Sequence, residues 1–244
     1  MTAALEALWR EARKLAHSPP KWELVWRRAG APTKRSSANH RPPGDPTWRA
    51  FALGRRASGR KPLPPLLFFT DPARTPDPGA ALDRLPRGAG MVYRAFGAPD
   101  AVAVGRRLAR RARRRGVLFF VGADAALAVA VRADGLHLPE RLAGRAGTNR
   151  QLGRRFMITA AAHGLPAILR AGRSGVDAIV VSPVFPSASP SAGRPLGPRR
   201  FAALVRAAGA PVYALGGVNA VSARQLRRSG AVGLAAVSAL AAAP

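Results

Sequence analysis

No cysteine occurs anywhere in the 244 residues. Disulfides, thiolate nucleophiles and Cys-ligated metals are therefore excluded. Acidic residues are scarce: 12 Asp and Glu stand against 40 Lys and Arg, giving a formal charge of +28. Lysine is scarce too. Only Lys14, Lys21, Lys34 and Lys61 are present, so no site in the last three quarters of the chain can use one. No apolar run approaches the roughly 18 residues needed to span a bilayer. The N-terminal stretch "MTAALEALWREARKLAHS" has no signal-peptide h-region and no small-residue cleavage site, so a cytoplasmic protein without membrane partners is expected.

What the chain does have is apolar residues and arginine. Hydrophobic residues make up 48%, enough for a sizeable core. The positive charge fits either a nucleic-acid partner or an Arg- and Ala-rich coding bias. The densest basic run, "GRRLARRARRRG" (105–116), follows Val102 and Val104 and contains Leu108. That pattern reads as the solvated face of an amphipathic helix. Aromatics do not interleave with the run and no nucleic-acid module is recognisable, so an RNA-binding role ranks last among the functional readings.

Residues 1–65 differ from the rest. They hold every lysine, all four tryptophans (Trp9, Trp22, Trp26 and Trp48), and turn-rich segments such as "APTKRSSANHRPPGDP". A helix is predicted near Ala3–Ala16, with Leu5, Leu8, Trp9 and Leu15 on one face. The remainder reads as a basic, partly disordered extension.

From Leu66 onward eight short apolar runs recur: "LLFFT" (66–70), "GMVYRAF" (90–96), "GVLFFVG" (116–122), "GLHLP" (135–139), "RFMITAAAH" (155–163), "AIVVSPVF" (178–185), "PVYALGGV" (211–218) and "VGLAAVSAL" (232–240). Amphipathic segments separate most of them, at 98–115, 124–132, 164–175, 198–209 and 221–229; the intervals after the first and fourth runs are weaker helices. Apolar strands alternating with helices indicate a parallel sheet covered on its faces. Eight such units fit an α/β fold of the (β/α)8 TIM-barrel type over residues 66–244. A doubly wound sheet is the alternative, but "DPARTPD" after the first strand is not a Gly-rich phosphate turn. The last helix of the barrel is missing: Pro244 closely follows the eighth strand, so either the barrel is open there or the N-terminal helix covers the gap.

Barrel sites lie at the C-terminal strand ends. Arg94 ends the second strand, His137 sits on the fourth and His163 ends the fifth. The sixth opens into "SPVFPSASPSAGRPLG" (182–197), with hydroxyls at Ser182, Ser187, Ser189 and Ser191. The seventh ends in Gly216 and Gly217, and the eighth at Val237 and Ser238. Loops after strands seven and eight often bind phosphate through backbone N–H groups. A Gly-Gly pair lets the backbone approach an anion, or is an ordinary turn.

These motifs carry a resemblance. "LFFTDP", "ADGLHLP", "SPVFPSAS", "YALGGVN" and "GAVGLAAVSAL", in that order, resemble the thiamine-phosphate synthase/TenI superfamily, whose sixth-strand loop reads Gly-Pro-Val-Phe-Pro-Thr-x-Thr-Lys. The resemblance implies joining of hydroxymethylpyrimidine pyrophosphate to thiazole phosphate, with pyrophosphate leaving and Mg²⁺ neutralising it. It also implies that phosphorylated thiazole and pyrimidine thiamine precursors are the partners. By the same resemblance Ser187 and Ser189 offer hydroxyls to a phosphate, and Gly216, Gly217, Val237 and Ser238 hold the thiazole phosphate.

The chain departs from that pattern at the other half of the site. At the second strand Arg94 survives, but Phe96 stands for a lysine. Ala123 follows Gly122 in place of an Asn-Asp pair, with Asp124 one place on. Leu142 falls near the Mg²⁺-binding aspartate, leaving Glu140 as the nearby carboxylate. Ala161 replaces a serine and Pro190 the loop lysine. Three readings follow. The first is a divergent synthase in which arginines such as Arg194 replace the lysines, with Mg²⁺ on Asp124 and Glu140. The second is a TenI-type thiazole tautomerase using His163, because imidazole suits proton transfer near neutral pH. The third is a non-catalytic binder of a phosphorylated thiamine intermediate. His163 itself reads equally as a structural histidine.

Overall fold

The apolar runs become the staves of a closed parallel barrel in a computed structural model that describes residues 2–16, 62–149, 152–153, 156–187 and 193–237. The strands are β1 (Leu66–Phe69), β2 (Gly90–Tyr93), β3 (Leu118–Gly122), β4 (Gly135–Leu138), β5 (Met157–Ala162), β6 (Ala178–Val181), β7 (Val212–Ala214) and β8 (Gly233–Ala236). They pair in chain order, and β8 closes onto β1 through Leu67 opposite Ala235. Burial on both faces explains why each strand reads as an apolar run rather than an alternation.

The helices are α1 (Ala3–Ala16), α2 (Pro78–Arg84), α3 (Ala101–Arg115), α4 (Ala125–Ala130), α5 (Ala146–Asn149), α6 (Leu165–Arg173), α7 (Gly197–Ala207) and α8 (Ala220–Ala223). A 3₁₀ turn, Glu140–Arg145, precedes α5. The two weakly patterned intervals therefore hold the short α2 and this irregular α5 segment. On α3, Leu108, Ala109 and Ala112 are buried while every arginine is exposed, so the densest basic run is a solvated helix face. Val102, expected on the apolar face, is exposed. Asp77 and Asp124 start α2 and α4 by accepting backbone N–H bonds in the first turn.

The barrel interior alternates large and small residues. A Cβ on Gly135 would sit 2.7 Å from the Phe120 ring, and one on Gly233 equally close to Tyr213. Those glycines make room for the rings that fill the axis, alongside Leu67, Val92, Met157 and Val180. Tyr213 donates its buried hydroxyl to the Pro64 carbonyl at 2.6 Å.

The outside of the β8–β1 seam is covered by α1, which packs on both strands and on α8. Leu5, Leu8 and Leu15 are buried there, each contributing roughly 2 kcal/mol by removal from water, and Trp9 is half-buried. Glu11 is also buried, with a bidentate bond to Arg227 at 2.9 and 3.0 Å and a bond to Lys14 at 2.9 Å. Of the two expectations for the end of the barrel, an open seam or an N-terminal cover, the second holds: the barrel is closed and α1 lies over the β8–β1 seam, while residues 238–244 lie outside the described residues. The rest of the N-terminal extension, 17–61, lies outside them too.

Candidate active site

At the C-terminal mouth of the barrel the last inward layer gives way to a cavity of about 1080 Å³. Arg94, Asp124, His163, Ser187, Gly216, Gly217 and Val237 all line it. Strand ends separated by more than a hundred residues in sequence thus meet at one opening. Ser189 and Ser238 lie outside the described residues. Arg194 is exposed and is not part of the cavity wall.

Arg94 is held rigidly. Its Nε donates to the Thr70 carbonyl at 2.6 Å, and a terminal nitrogen pairs with Asp71 at 3.1 Å. The guanidinium lies over the rings of Phe96 and Phe69, 5.2 and 5.9 Å from their centroids. Burial lowers its pKa below the ordinary arginine value; Asp71 pulls the other way, and repulsion from Arg74 adds to the lowering. Phe96 is 67% exposed at the rim. Both Phe96 (φ +49°) and Ala123 (φ +66°) hold left-handed backbone, which costs a non-glycine residue about 1–2 kcal/mol. Both strained positions border the cavity.

His163 is exposed, and its Nδ1 lies 2.9 Å from the Ser182 carbonyl and 3.2 Å from the Ser182 hydroxyl. A carbonyl only accepts, so Nδ1 carries the proton, and in the neutral ring Nε2 keeps the lone pair. Its backbone N–H donates to Glu140 at 2.9 Å. The ring is thereby held through Nδ1, and the backbone that carries it through Glu140.

His137 was read in the sequence as part of a strand and given no role. It proves to be a buried residue of the cavity floor. Its Nδ1 meets the Thr159 hydroxyl at 2.9 Å, and its ring stands edge-on to Phe69 at 4.8 Å. Burial, reinforced by the nearby Arg94 charge, pushes its pKa down to about 3, so the ring is neutral near pH 7. The signal was its inward register position at a strand's C-terminal end. Arg74, Arg141 and Arg145 also line the cavity and were not singled out, because nothing distinguishes them from the chain's other arginines in sequence.

Gly216 and Gly217 both have positive φ, +92° and +62°. A Cβ on Gly216 would lie 2.8 Å from Pro183, and one on Gly217 would collide with the Pro186 carbonyl and meet Phe185 at 2.8 Å. Phe185 N–H donates to the Gly216 carbonyl at 3.0 Å, and Val184 N–H to that of Leu215 at 2.9 Å. The glycines therefore serve the close docking of the β6 and β7 loops. Among the described residues, the N–H groups of Gly216, Gly217 and Val218 have no hydrogen-bond partner, and all three residues line the cavity. An anion suits such a row of donors.

The carboxylates do not assemble. Asp124 lines the cavity but accepts the Leu127 N–H at 2.8 Å as the cap of α4. Glu140 is not part of the cavity wall; its two oxygens hold the His163 N–H and Arg170 at 2.9 and 3.2 Å. Among the described residues no group of three His, Cys, Asp or Glu side chains is placed to hold a metal ion. Mg²⁺ usually takes one or two carboxylates beside substrate phosphates; of the expected pair only Asp124 lines the cavity, and its Oδ1 is used by the α4 cap.

The thiamine monophosphate synthase family model matches residues 80–240. The chain belongs to that family. A thiamine-phosphate synthase of Alcanivorax borkumensis is 36% identical over 72% of this chain and 84% of its own length. One of Chloroflexus aurantiacus is 37% identical over 54% of this chain, and there the match spans 61% of the relative. Among solved structures, a thiamine phosphate pyrophosphorylase from Pyrococcus furiosus superposes with a TM-score of 0.61 at 26% identity, covering 71% of this chain and 85% of that one. The family match covers most of the barrel, with β2 to β8 inside the matched range. No helix among the described residues is long and apolar enough to cross a membrane.

Proposed function

We propose that this chain is a divergent thiamine-phosphate synthase, joining hydroxymethylpyrimidine pyrophosphate to thiazole phosphate. The observation that carries the reading is one cavity of about 1080 Å³ lined by both Arg94 and the Gly216, Gly217 and Val218 backbone. The cavity stands at the top of the roughly 300–1,000 Å³ usual for ligand pockets, which leaves room for a second ring beside the first. The N–H groups of Gly216, Gly217 and Val218, with Ser238 following β8, take the thiazole phosphate. Arg94, aided by Ser187 and Ser189, faces the diphosphate. In the reaction the methylene–oxygen bond of the pyrimidine substrate breaks and its electron pair leaves with diphosphate. The thiazole nitrogen lone pair then forms the new carbon–nitrogen bond. The chain's own residues align the two rings and favour the departing charge electrostatically. Purified protein given both substrates should release thiamine phosphate and diphosphate in equal amounts; substrates recovered unchanged would reject the reading.

The geometry of His163 favours a second reading, the thiazole tautomerase. With Nδ1–H donated to Ser182, Nε2 is a preset proton acceptor at the cavity wall. Under that reading His163→Ala costs roughly a hundredfold or more in isomerisation, and a single phosphorylated thiazole is the whole substrate.

A further inference from the structure

We propose that Arg74, Arg94, Arg141 and Arg145 form a diphosphate-binding clamp that replaces a divalent metal, making anion binding at this end of the cavity metal-independent. The inference rests on the synthase reading for the identity of its substrate, but not for its binding chemistry.

Four guanidinium groups line the cavity, supplied by three separate parts of the barrel mouth. Arg74 comes from the β1 loop and Arg94 from the end of β2. Arg141 and Arg145 come from the 3₁₀ turn after β4, four residues apart. Asp124 is the one carboxylate on the wall among the described residues, and its Oδ1 caps α4; Asp71 is held by Arg94, and Glu140 by the His163 N–H and Arg170. Arg94 and Arg74 are close enough for each to feel the other's charge, and Arg94 is partly desolvated. Asp71 offsets part of the Arg94 charge, yet four arginines against one carboxylate at a single opening favour a polyanion. His137 remains neutral beneath it and adds no competing proton site near pH 7. Guanidinium groups bind phosphate oxygens in bidentate fashion and never lose their charge at neutral pH. They can therefore supply the role that Mg²⁺ has in neutralising a leaving diphosphate, without octahedral coordination.

The test is titration calorimetry of inorganic pyrophosphate into the full-length protein. Binding is expected in EDTA, with added Mg²⁺ changing the dissociation constant less than about threefold. The double variant Arg141→Gln/Arg145→Gln should weaken binding about tenfold or more, equivalent to 1.4 kcal/mol. Both side chains are exposed, so the barrel should keep its melting temperature. Arg107→Gln/Arg114→Gln, both exposed on α3 and neither in the cavity lining, removes the same charge and should cost less than about twofold. Arg74→Gln provides an independent check and should also weaken binding. The proposal is overturned if EDTA abolishes binding, or if the α3 variant loses as much affinity as the Arg141/Arg145 variant. Failure of the synthase reading looks different: pyrophosphate binds without metal, yet no thiamine phosphate forms. If thiamine phosphate forms only with Mg²⁺, the synthase reading survives and the clamp does not.

Discussion

Lowering the pH should unfold this barrel earlier than its other groups require, because of His137. Its ring is buried beside Arg94, with a native pKa near 3, while in the unfolded chain an ordinary histidine titrates at about 6.5. The unfolded state then binds one more proton than the native state throughout that interval. Stability is complete above about pH 6.5 and falls as the pH drops, by about 1.4 kcal/mol per unit for one proton. Between about pH 7 and pH 4.5 the accumulated loss is about 2.5 kcal/mol. His137→Gln keeps a polar partner for Thr159 but cannot titrate. Urea unfolding of both proteins across this range should therefore give a slope smaller by about one proton for the variant. Glu11 does not confuse the comparison: its pKa is lowered to about 2, chiefly by the Arg227 bond and despite its burial, so its contribution is lost only below about pH 4.5. Equal slopes for the two proteins would show that His137 protonates in the native state, and would refute the account of a neutral cavity floor.

Further expectations concern the N-terminal cover and the loop glycines. Glu11→Gln should lower the unfolding free energy by about 2 kcal/mol, the scale of hydrogen bonds to charged groups, measured by chemical denaturation at neutral pH. Limited trypsin digestion should cut first between residues 17 and 60 and leave α1 bound to the barrel; release of α1 on cutting would show that its docking depends on the connecting segment. Gly217→Ala forces a Cβ onto Pro186 at φ +62° and should destabilise by roughly 2–5 kcal/mol from left-handed strain and overpacking, with thiazole-phosphate affinity falling as the two loops part. A melting temperature equal to that of the unsubstituted protein would mean that the β6 and β7 loops are not in contact as described.

The strands were legible because parallel barrel staves are buried on both faces, so Leu67, Val92, Phe119, Leu136, Ile158, Val180, Val212 and Leu234 each stood in an apolar run that became a strand. The period of Leu5, Leu8 and Leu15 likewise revealed α1, and strand ends led to Arg94, His163 and the Gly-Gly pair. What stayed hidden depends on contacts across the fold. Glu140 looked like a metal ligand because it lies near the right place in sequence; its bonds to residues 23 and 30 positions away divert it. Asp124 carried its cap role in plain view, directly before an Ala-rich helix. Arg74, Arg141 and Arg145 could not be picked out of an arginine-rich chain until the barrel brought them to one cavity. His137 was seen on the fourth strand, but only the closed barrel showed that its side chain, and not those of Leu136 and Leu138, turns inward to the cavity.

The most direct measurement is product analysis after incubating the full-length protein with hydroxymethylpyrimidine pyrophosphate and thiazole phosphate, in parallel with EDTA and with Mg²⁺. The account predicts thiamine phosphate in both reactions at similar rates, with His163→Ala retaining most of the activity and Arg94→Gln losing most of it. No thiamine phosphate under either condition, together with a thiazole isomerisation that His163→Ala abolishes, would contradict it.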